Sequence, residues 1–438
     1  MVETVDVPSS RHWLARLAFV TAAAAVLLVL AVAGLRGSLG LLLVGGIGSA
    51  IGLAAAWWFL THRGVLRWVA GAVVVLAPLV VAVLFARANL IWVVVAFGLL
   101  WSAAVAAGRR ALAPEHDETP VEYETPPPRR PYLIMNPRSG GGKVERFDLA
   151  ERARALGAEV YVLDGPAVDV AAVARQAVRD GADLLGVAGG DGTQALVAGI
   201  AAEHGLPFLV ISAGTRNHFA LDLGLDREDP STCLDALTDG VELRIDLGLI
   251  GDRTFVNNAS FGAYAAIVQS PAYRDDKVGT TLNLLPEVLT GEHGTHLRLD
   301  VDGVTVTGPQ AVLISNNPYT ADDVAGLGER PRLDGGTLGV LAVSVRGAAD
   351  AAALISERGR TRAVTVRNTA EAVVDADTPT VPVGVDGESI LMPTPVRCAI
   401  RPGALRVRVP RHRPGVRPAR PELDWTRLRR LALTNRRS

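Results

Sequence analysis

The chain has 438 residues, room for two or three domains, so a single small module is excluded. Two cysteines, Cys233 and Cys398, exclude a disulfide framework and a zinc cluster, and both read as small buried apolar residues of a reducing compartment. The formal net charge of −1 conceals segregation: residues 115–124 (EHDETPVEYE) are acidic, whereas the tail from Arg406 to Ser438 is dense in arginine. Mean hydropathy is +0.27, high for a soluble protein, and the excess is concentrated in one region.

Four apolar spans, Leu17–Leu35, Leu39–Leu60, Val69–Ala86 and Leu90–Ala107, follow one another with short polar breaks. Each is close to the roughly 20 residues that cross a bilayer core, so residues 1–108 read as a four-span membrane region. Arg11, Arg16, Arg63, Arg67, Arg109 and Arg110 fall on one side, against Arg36 and Arg87 on the other. That asymmetry places both termini, and all that follows the spans, on the cytoplasmic side of the cell membrane. Residues 109–130, ending in ETPPPRRP, read as a stiff, extended linker.

From Pro131 strands and helices alternate. Tyr132–Met135, Glu159–Leu163, Leu184–Ala188 and Pro207–Ile211 read as strands; Val144–Leu156, Val168–Arg179 and Thr193–Glu203 read as helices. This interval predicts a parallel, doubly wound sheet over residues 131–245, with ligands at the carboxyl ends of its strands. Three polar loops lie at that edge: Asn136–Gly142, Gly189–Thr193 and Ser212–Asn217. The second, Gly189-Gly190-Asp191-Gly192-Thr193, is the most informative. Its glycines let backbone N–H groups approach a phosphate, and a helix N-terminus follows. A carboxylate beside bare phosphate is repelled, so Asp191 makes best sense with a divalent cation between them.

After about Arg244 helices thin out. His296–Gly308 reads as a hairpin turning at Asp302-Gly303. Ala311–Ser315, Leu338–Val345, Ala363–Val366, Val381–Val385, Val396–Ile400 and Ala404–Val409 continue as short β runs, so residues 246–410 read as an antiparallel β domain behind the α/β one. In the tail, 411–438, the segment Leu423–Leu433 sets Trp425, Leu428 and Ala432 on one helical face, with Arg427, Arg429 and Arg430 mostly on others. Such a segment predicts contact with an anionic membrane surface, or else a disordered solubilising tail.

Lys143, after three glycines, invites comparison with a P-loop, but Pro137 and Val144 occupy the positions that require Gly and Ser or Thr. The third loop is more distinctive. With Asn136-Pro137-x-Ser139-Gly140 and Gly189–Thr193, Ser212-Ala213-Gly214-Thr215-Arg216-Asn217-His218-Phe219-Ala220 resembles the diacylglycerol kinase catalytic domain family, which includes sphingosine kinases and bacterial lipid kinases and shares its fold with NAD kinases. The resemblance runs from about Pro131 to Pro410 and extends to Asn257–Gly262 and Val385-Asp386-Gly387-Glu388.

It implies an ATP- and Mg²⁺-dependent kinase in which Asn136, Ser139 and Gly140, then Gly189, Gly190, Asp191, Gly192 and Thr193, then Gly214, Thr215 and Asn217 hold the nucleotide. It assigns Asp191 and Asp246, and more weakly Asp334, to metal, and Glu388 to accepting the proton of a lipid hydroxyl. The implied partner is a membrane lipid, first of all diacylglycerol, with no nucleic acid. His218 stands where the family often has Asp, and Ala195 and Leu196 where it often has Asn and Glu. Three alternatives stay open: a sphingoid or other lipid acceptor, NAD as acceptor, and a regulatory pseudokinase that binds nucleotide or lipid without transfer.

Overall fold

A computed structural model describes residues 9–62, 64–112, 121–165, 168–262, 265, 296–319, 330–344, 364–415 and 424–433. The expectations for Arg63, Val345, Ala363, most of the acidic run and the tail outside 411–415 and 424–433 lie outside the described residues. The chain divides into two compact units, Met1–Thr119 with Pro418–Ser438, and Pro120–Arg417.

The first unit is helical: α1 (Ser9–Thr61), α2 (Val65–Arg87), α3 (Ile91–Leu112) and, from the far end of the chain, α9 (Trp425–Leu433). It carries four spans long and apolar enough to cross a membrane, Arg11–Val32, Leu42–Thr61, Val65–Arg87 and Ile91–Leu112. The first two lie on one continuous helix, where a break at Arg36 was expected. Arg36-Gly37-Ser38 contains no proline, and glycine costs only about 1 kcal/mol in a helix interior, so nothing there compels the hydrogen-bond ladder to stop. Leu42, Leu79 and Leu99 are 72%, 54% and 68% exposed, an outward apolar surface suited to lipid rather than water. Helices meet through small residues: a Cβ on Gly48 would lie 2.4 Å from Val81 Cγ2. The start of α1 and the end of α3 lie side by side, with Ala15 and Ala18 packed with Ala107, Ala111 and Leu112, and Arg11 Nε donating to Ala111 O at 3.0 Å. α9 completes this cluster. Leu428 is fully buried in it, and Trp425 meets the rings of Phe19 and Trp101 at 5.6 and 6.1 Å. The apolar face read from the tail is therefore covered by protein.

In the second unit β2 (Pro131–Met135), β3 (Glu159–Val162), β4 (Leu184–Ala188) and β5 (Pro207–Ile211) form the expected parallel sheet, in the order β3-β2-β4-β5. All five residues of β4 and of β5 are buried, as continuous apolar runs predict for strands covered on both faces. α6 (Val170–Arg179) and α7 (Asp191–Glu203) match their predicted spans closely. The helix expected over Val144–Leu156 is two short ones, α4 (Lys143–Arg146) and α5 (Leu149–Ala155), parted where Asp148 turns left-handed at φ 50°. Strand order reverses at β2, with β3 on one side and β4 on the other. The loops after β2 and β4 therefore flank a topological switch point, where doubly wound sheets bind ligands.

The sheet does not stop at residue 245. β6 (Gly240–Ile250) runs through that boundary and pairs along β17 (Val396–Pro410), whose last residues pair in parallel with β5. β7 (Arg253–Phe255), β9 (Leu297–Val301), β10 (Val304–Thr307), β14 (Glu371–Ala376) and β1 (Tyr123–Glu124) extend it to 11 strands. The segment expected to be a stiff, extended linker, 109–130, begins inside α3 and contributes Tyr123–Glu124 as a strand paired with β6. β8 (Asn258–Gly262), β11 (Ala311–Asn316), β12 (Leu338–Val343), β13 (Val364–Thr369), β15 (Thr380–Val385) and β16 (Glu388–Pro393) make a second, six-stranded antiparallel sheet. A core including Phe255, Phe261, Leu299, Ile314 and Val383 fills the space between the two sheets. The Asp302-Gly303 turn has φ of 47° and 75°, as its hairpin predicts.

Candidate active site

The first loop follows β2. Asn136 N donates to Ala188 O at 2.8 Å, tying it to the end of β4, and Asn136 Oδ1 accepts Arg138 N at 3.0 Å. Ser139–Gly141 form a 3-10 turn in which Gly140, Gly141 and Gly142 all have positive φ. Gly140 is required for two reasons: its φ is 57°, and a Cβ there would lie 2.4 Å from Ala213 O in the third loop. Lys143 differs from a P-loop lysine in what it does. It is buried, and its Nζ donates to Arg227 O at 2.5 Å and more weakly to Ser212 O at 3.5 Å, stitching the base of the first loop to the third. Burial pushes its pKa down.

The second loop follows β4, with Gly190 as the N-cap of α7 and Asp191 as its first residue. The third follows β5 and ends at α8 (His218–Asp222), where Asn217 caps from a left-handed φ of 55°. Asn217 Nδ2 donates to Ser212 O and Gly214 O at 2.9 and 2.7 Å, folding the loop on itself. Gly214 has no room for a side chain, since a Cβ would lie 2.8 Å from Gly189 O. The three predicted loops thus touch one another through backbone at the sheet's carboxyl edge. Thr215 is exposed, and its carbonyl accepts from Arg227. Thr193 packs towards Gly189 across the second loop.

Asp191 sits at the centre. It is only 9% exposed; Oδ2 accepts His218 N at 3.4 Å, while Oδ1 is buried without a hydrogen-bond partner. Burial pushes its pKa up; the His218 side chain, the backbone N–H groups of His218 and Phe219, and Asn257 pull the other way. Glu388 reaches the same place from the other sheet. A Cβ on Gly192 would lie 2.3 Å from Glu388 Oε1, so that carboxylate lies over the first turn of α7, beside Asp191. Glu388 is the first residue of β16. Its position is fixed by Asp386, whose Oδ1 accepts Asn257 N and Asn258 N at 2.8 and 3.1 Å and whose Oδ2 accepts Val256 N at 2.8 Å. Burial pushes the Asp386 carboxyl up to about 7, against those three donors, and the nearby Asp191 adds to the rise.

Asp246, expected as a metal ligand, accepts three hydrogen bonds. Its Oδ1 accepts Gly403 N at 2.7 Å and its Oδ2 accepts Gly336 N and Asn317 Nδ2 at 2.6 and 3.1 Å. It thereby pins the irregular crossing of β6 and β17, where the pairing register shifts between Arg401 and Leu405. Asp334 pairs with Arg332 at 3.0 Å on the surface. No group of three or more His, Cys, Asp or Glu able to hold a metal occurs among the described residues. The donor set nevertheless fits Mg²⁺ as it is usually bound, by one or two carboxylates and substrate phosphates: Asp191 supplies a buried, unpartnered carboxylate oxygen at the mouth of the phosphate loops.

Sequence reasoning missed Arg330 and Asp222. Arg330 Nε and Nη2 donate to Asp222 Oδ2 at 2.8 and 2.6 Å, and both side chains are almost wholly buried. Burial disfavours the guanidinium's charge, but Asp222 more than offsets this and the pKa rises. Neither residue belongs to a motif, and their partnership across 108 positions leaves no local signal.

Residues 130–250 match the model of the diacylglycerol kinase catalytic domain family. The chain is 31% identical over 189 residues to a diacylglycerol kinase of Bacillus subtilis (strain 168), an alignment covering 41% of this chain and 62% of that protein. It is 32% identical over 136 residues to a diacylglycerol kinase of Mycobacterium tuberculosis (strain ATCC 25618 / H37Rv), covering 30% and 44%. The chain thus spans less than two thirds of either relative. A crystal structure of a Bacillus anthracis str. Sterne protein superposes with TM-score 0.51 at 18% identity, over 65% of this chain and 96% of that one, and shares its fold.

Proposed function

We propose that this chain, which belongs to the diacylglycerol kinase catalytic domain family through residues 130–250, transfers the γ-phosphoryl group of ATP to a hydroxyl of a membrane lipid, diacylglycerol first among the candidates. The observation that carries the reading is the Glu388 carboxylate lying against Gly192 in the phosphate loop that bears Asp191. Phosphoryl transfer needs the phosphates held, their charge balanced and the acceptor oxygen in line. The loops around Asn136–Gly142, Gly189–Thr193 and Gly214–Asn217 offer glycine backbone for the first task. Asp191 would hold Mg²⁺, which when bound neutralises charge on the phosphates. Glu388 takes the proton from the acceptor hydroxyl as its oxygen becomes the nucleophile.

The four spans support an acceptor that resides in the bilayer. The asymmetry of Arg11, Arg16, Arg67, Arg109 and Arg110 against Arg36 and Arg87 supports a cytoplasmic site beside that acceptor. Arg427, Arg429 and Arg430 are exposed on α9 and suited to anionic headgroups at about 1 kcal/mol each.

The test is labelled ATP with the full chain in mixed micelles containing, in turn, diacylglycerol, sphingosine, ceramide and a polyprenol, with products read by mass. Labelled phosphatidate is expected, and Asp191→Ala and Glu388→Gln should each lower kcat by about 10²- to 10⁴-fold. Nucleotide binding without transfer to any lipid would favour a regulatory protein. Full activity in both variants would remove these residues from the chemistry.

A further inference from the structure

A chain of contacts closes on itself around the site. From Asp191 the path runs to His218 N at the start of α8, along α8 to Asp222, and across to Arg330. Arg330 Nη1 donates to Val256 O and Asn316 O at 2.6 and 2.7 Å, and Nη2 donates to Asn257 Oδ1 at 2.9 Å. Val256 and Asn257 in turn donate their N–H groups to Asp386, two residues before Glu388, and Glu388 returns to Gly192 beside Asp191. Arg330 is the single side chain in this circuit that bonds both the helix of the third phosphate loop and the segment that carries the proton acceptor's support.

We infer that Arg330 is a positioning residue that couples the third phosphate loop to the placement of Glu388, so that phosphates and acceptor base are held in register. The inference rests on the phosphoryl-transfer reading for its effect on rate, but the coupling itself is a property of the fold. A guanidinium suits the task because its planar fork presents five donors in fixed directions; here it meets a carboxylate on one edge and three carbonyl-type oxygens on the other. Lysine keeps the charge and the pairing with Asp222 but cannot span both edges.

Arg330→Lys and Asp222→Asn in the full chain provide the test, the second because it is near-isosteric should the first fail to fold. Two readouts are needed. Amide hydrogen exchange, with and without Mg²⁺ and ATP, should show nucleotide protecting both Ser212–His218 and Val385–Glu388 in the wild type. In each variant protection should persist at the first segment and be lost at the second. Steady-state kinetics should show kcat lowered tenfold or more, with KM for ATP within about threefold and the melting temperature within a few degrees. A merely structural residue would instead lower stability and the active fraction while leaving kcat per folded molecule unchanged. Equal protection of Val385–Glu388 in variants and wild type, or its absence in the wild type, overturns the inference. A wild type that transfers no phosphate yet shows the coupled protection, lost in the variants, upholds it and sinks the kinase reading alone.

Discussion

At the scale of single residues, two glycines in the site are constrained for different reasons and predict different failures. A Cβ at Gly140 meets the carbonyl oxygen of Ala213 at 2.4 Å and stands on a left-handed backbone, so nothing soft can yield. A Cβ at Gly192 meets Glu388 Oε1 at 2.3 Å, the free end of a flexible side chain. Gly192→Ala should therefore leave the melting temperature within a few degrees of wild type, because Glu388 swings aside. It should lower kcat at least tenfold if Glu388 is the proton acceptor proposed above, because that carboxylate has moved by about an ångström or more. Gly140→Ala should destabilise by about 2 kcal/mol through strain and clash. Equal melting temperatures for the two variants would contradict this contrast. Asp386 adds a pH dependence. Its folded pKa of about 7 exceeds the roughly 4 of an unfolded aspartate, so the folded state holds the proton more tightly. The resulting stability is fully present below about pH 4 and is lost as pH rises through 7. At about 1.4 kcal/mol per unit, wild type should lose about 2 kcal/mol relative to Asp386→Asn between pH 5 and 7, measured by denaturant midpoints without Mg²⁺ or nucleotide. Parallel curves, or the opposite slope, would mean that the three N–H donors outweigh burial.

At the scale of elements, local pattern showed what it could and stopped where partners are distant. Continuous apolar runs located β4 and β5, and the glycine-bearing loops that follow β2, β4 and β5 fall at one sheet edge, as the strand–helix alternation predicts. β16 escaped because Glu388-Ser389-Ile390-Leu391-Met392-Pro393 lacks clear alternation; its strand character comes from pairing with β15. β6 runs unbroken through the expected boundary at residue 246, because its pairing is set by β17 more than 140 positions away. The donors around Asp246 left no local signal for the same reason, since Asn317, Gly336 and Gly403 are all 70 or more positions away. The apolar stripe of α9 was legible, but a stripe does not say what covers it: an anionic membrane surface or a disordered tail were the expectations, and Phe19, Trp101 and the ends of α1 and α3 lie against the stripe. The continuity of α1 was hidden because apolar runs reveal where a helix is greasy and say little about where it stops.

At the scale of the whole molecule, the chain leaves its helical unit after α3 and returns to it as α9, so the Pro120–Arg417 unit is attached at both ends. That unit has two hydrophobic cores of its own, one beneath the parallel sheet and one between the two sheets, which predicts that it folds alone. On the proposed lipid-kinase reading, attachment acts through concentration: a tethered site meets a bilayer acceptor at an effective concentration of millimolar order, with no new contact required. The isolated 120–417 fragment should phosphorylate a short-chain, water-soluble diacylglycerol with kcat within about threefold of the full chain. On long-chain diacylglycerol in vesicles at nanomolar enzyme, its rate should fall about 10²-fold or more. A fragment as active on vesicles as the full chain would show that the helices contribute nothing to substrate capture. A folded fragment inactive on the soluble acceptor would show instead that the helical unit completes the site.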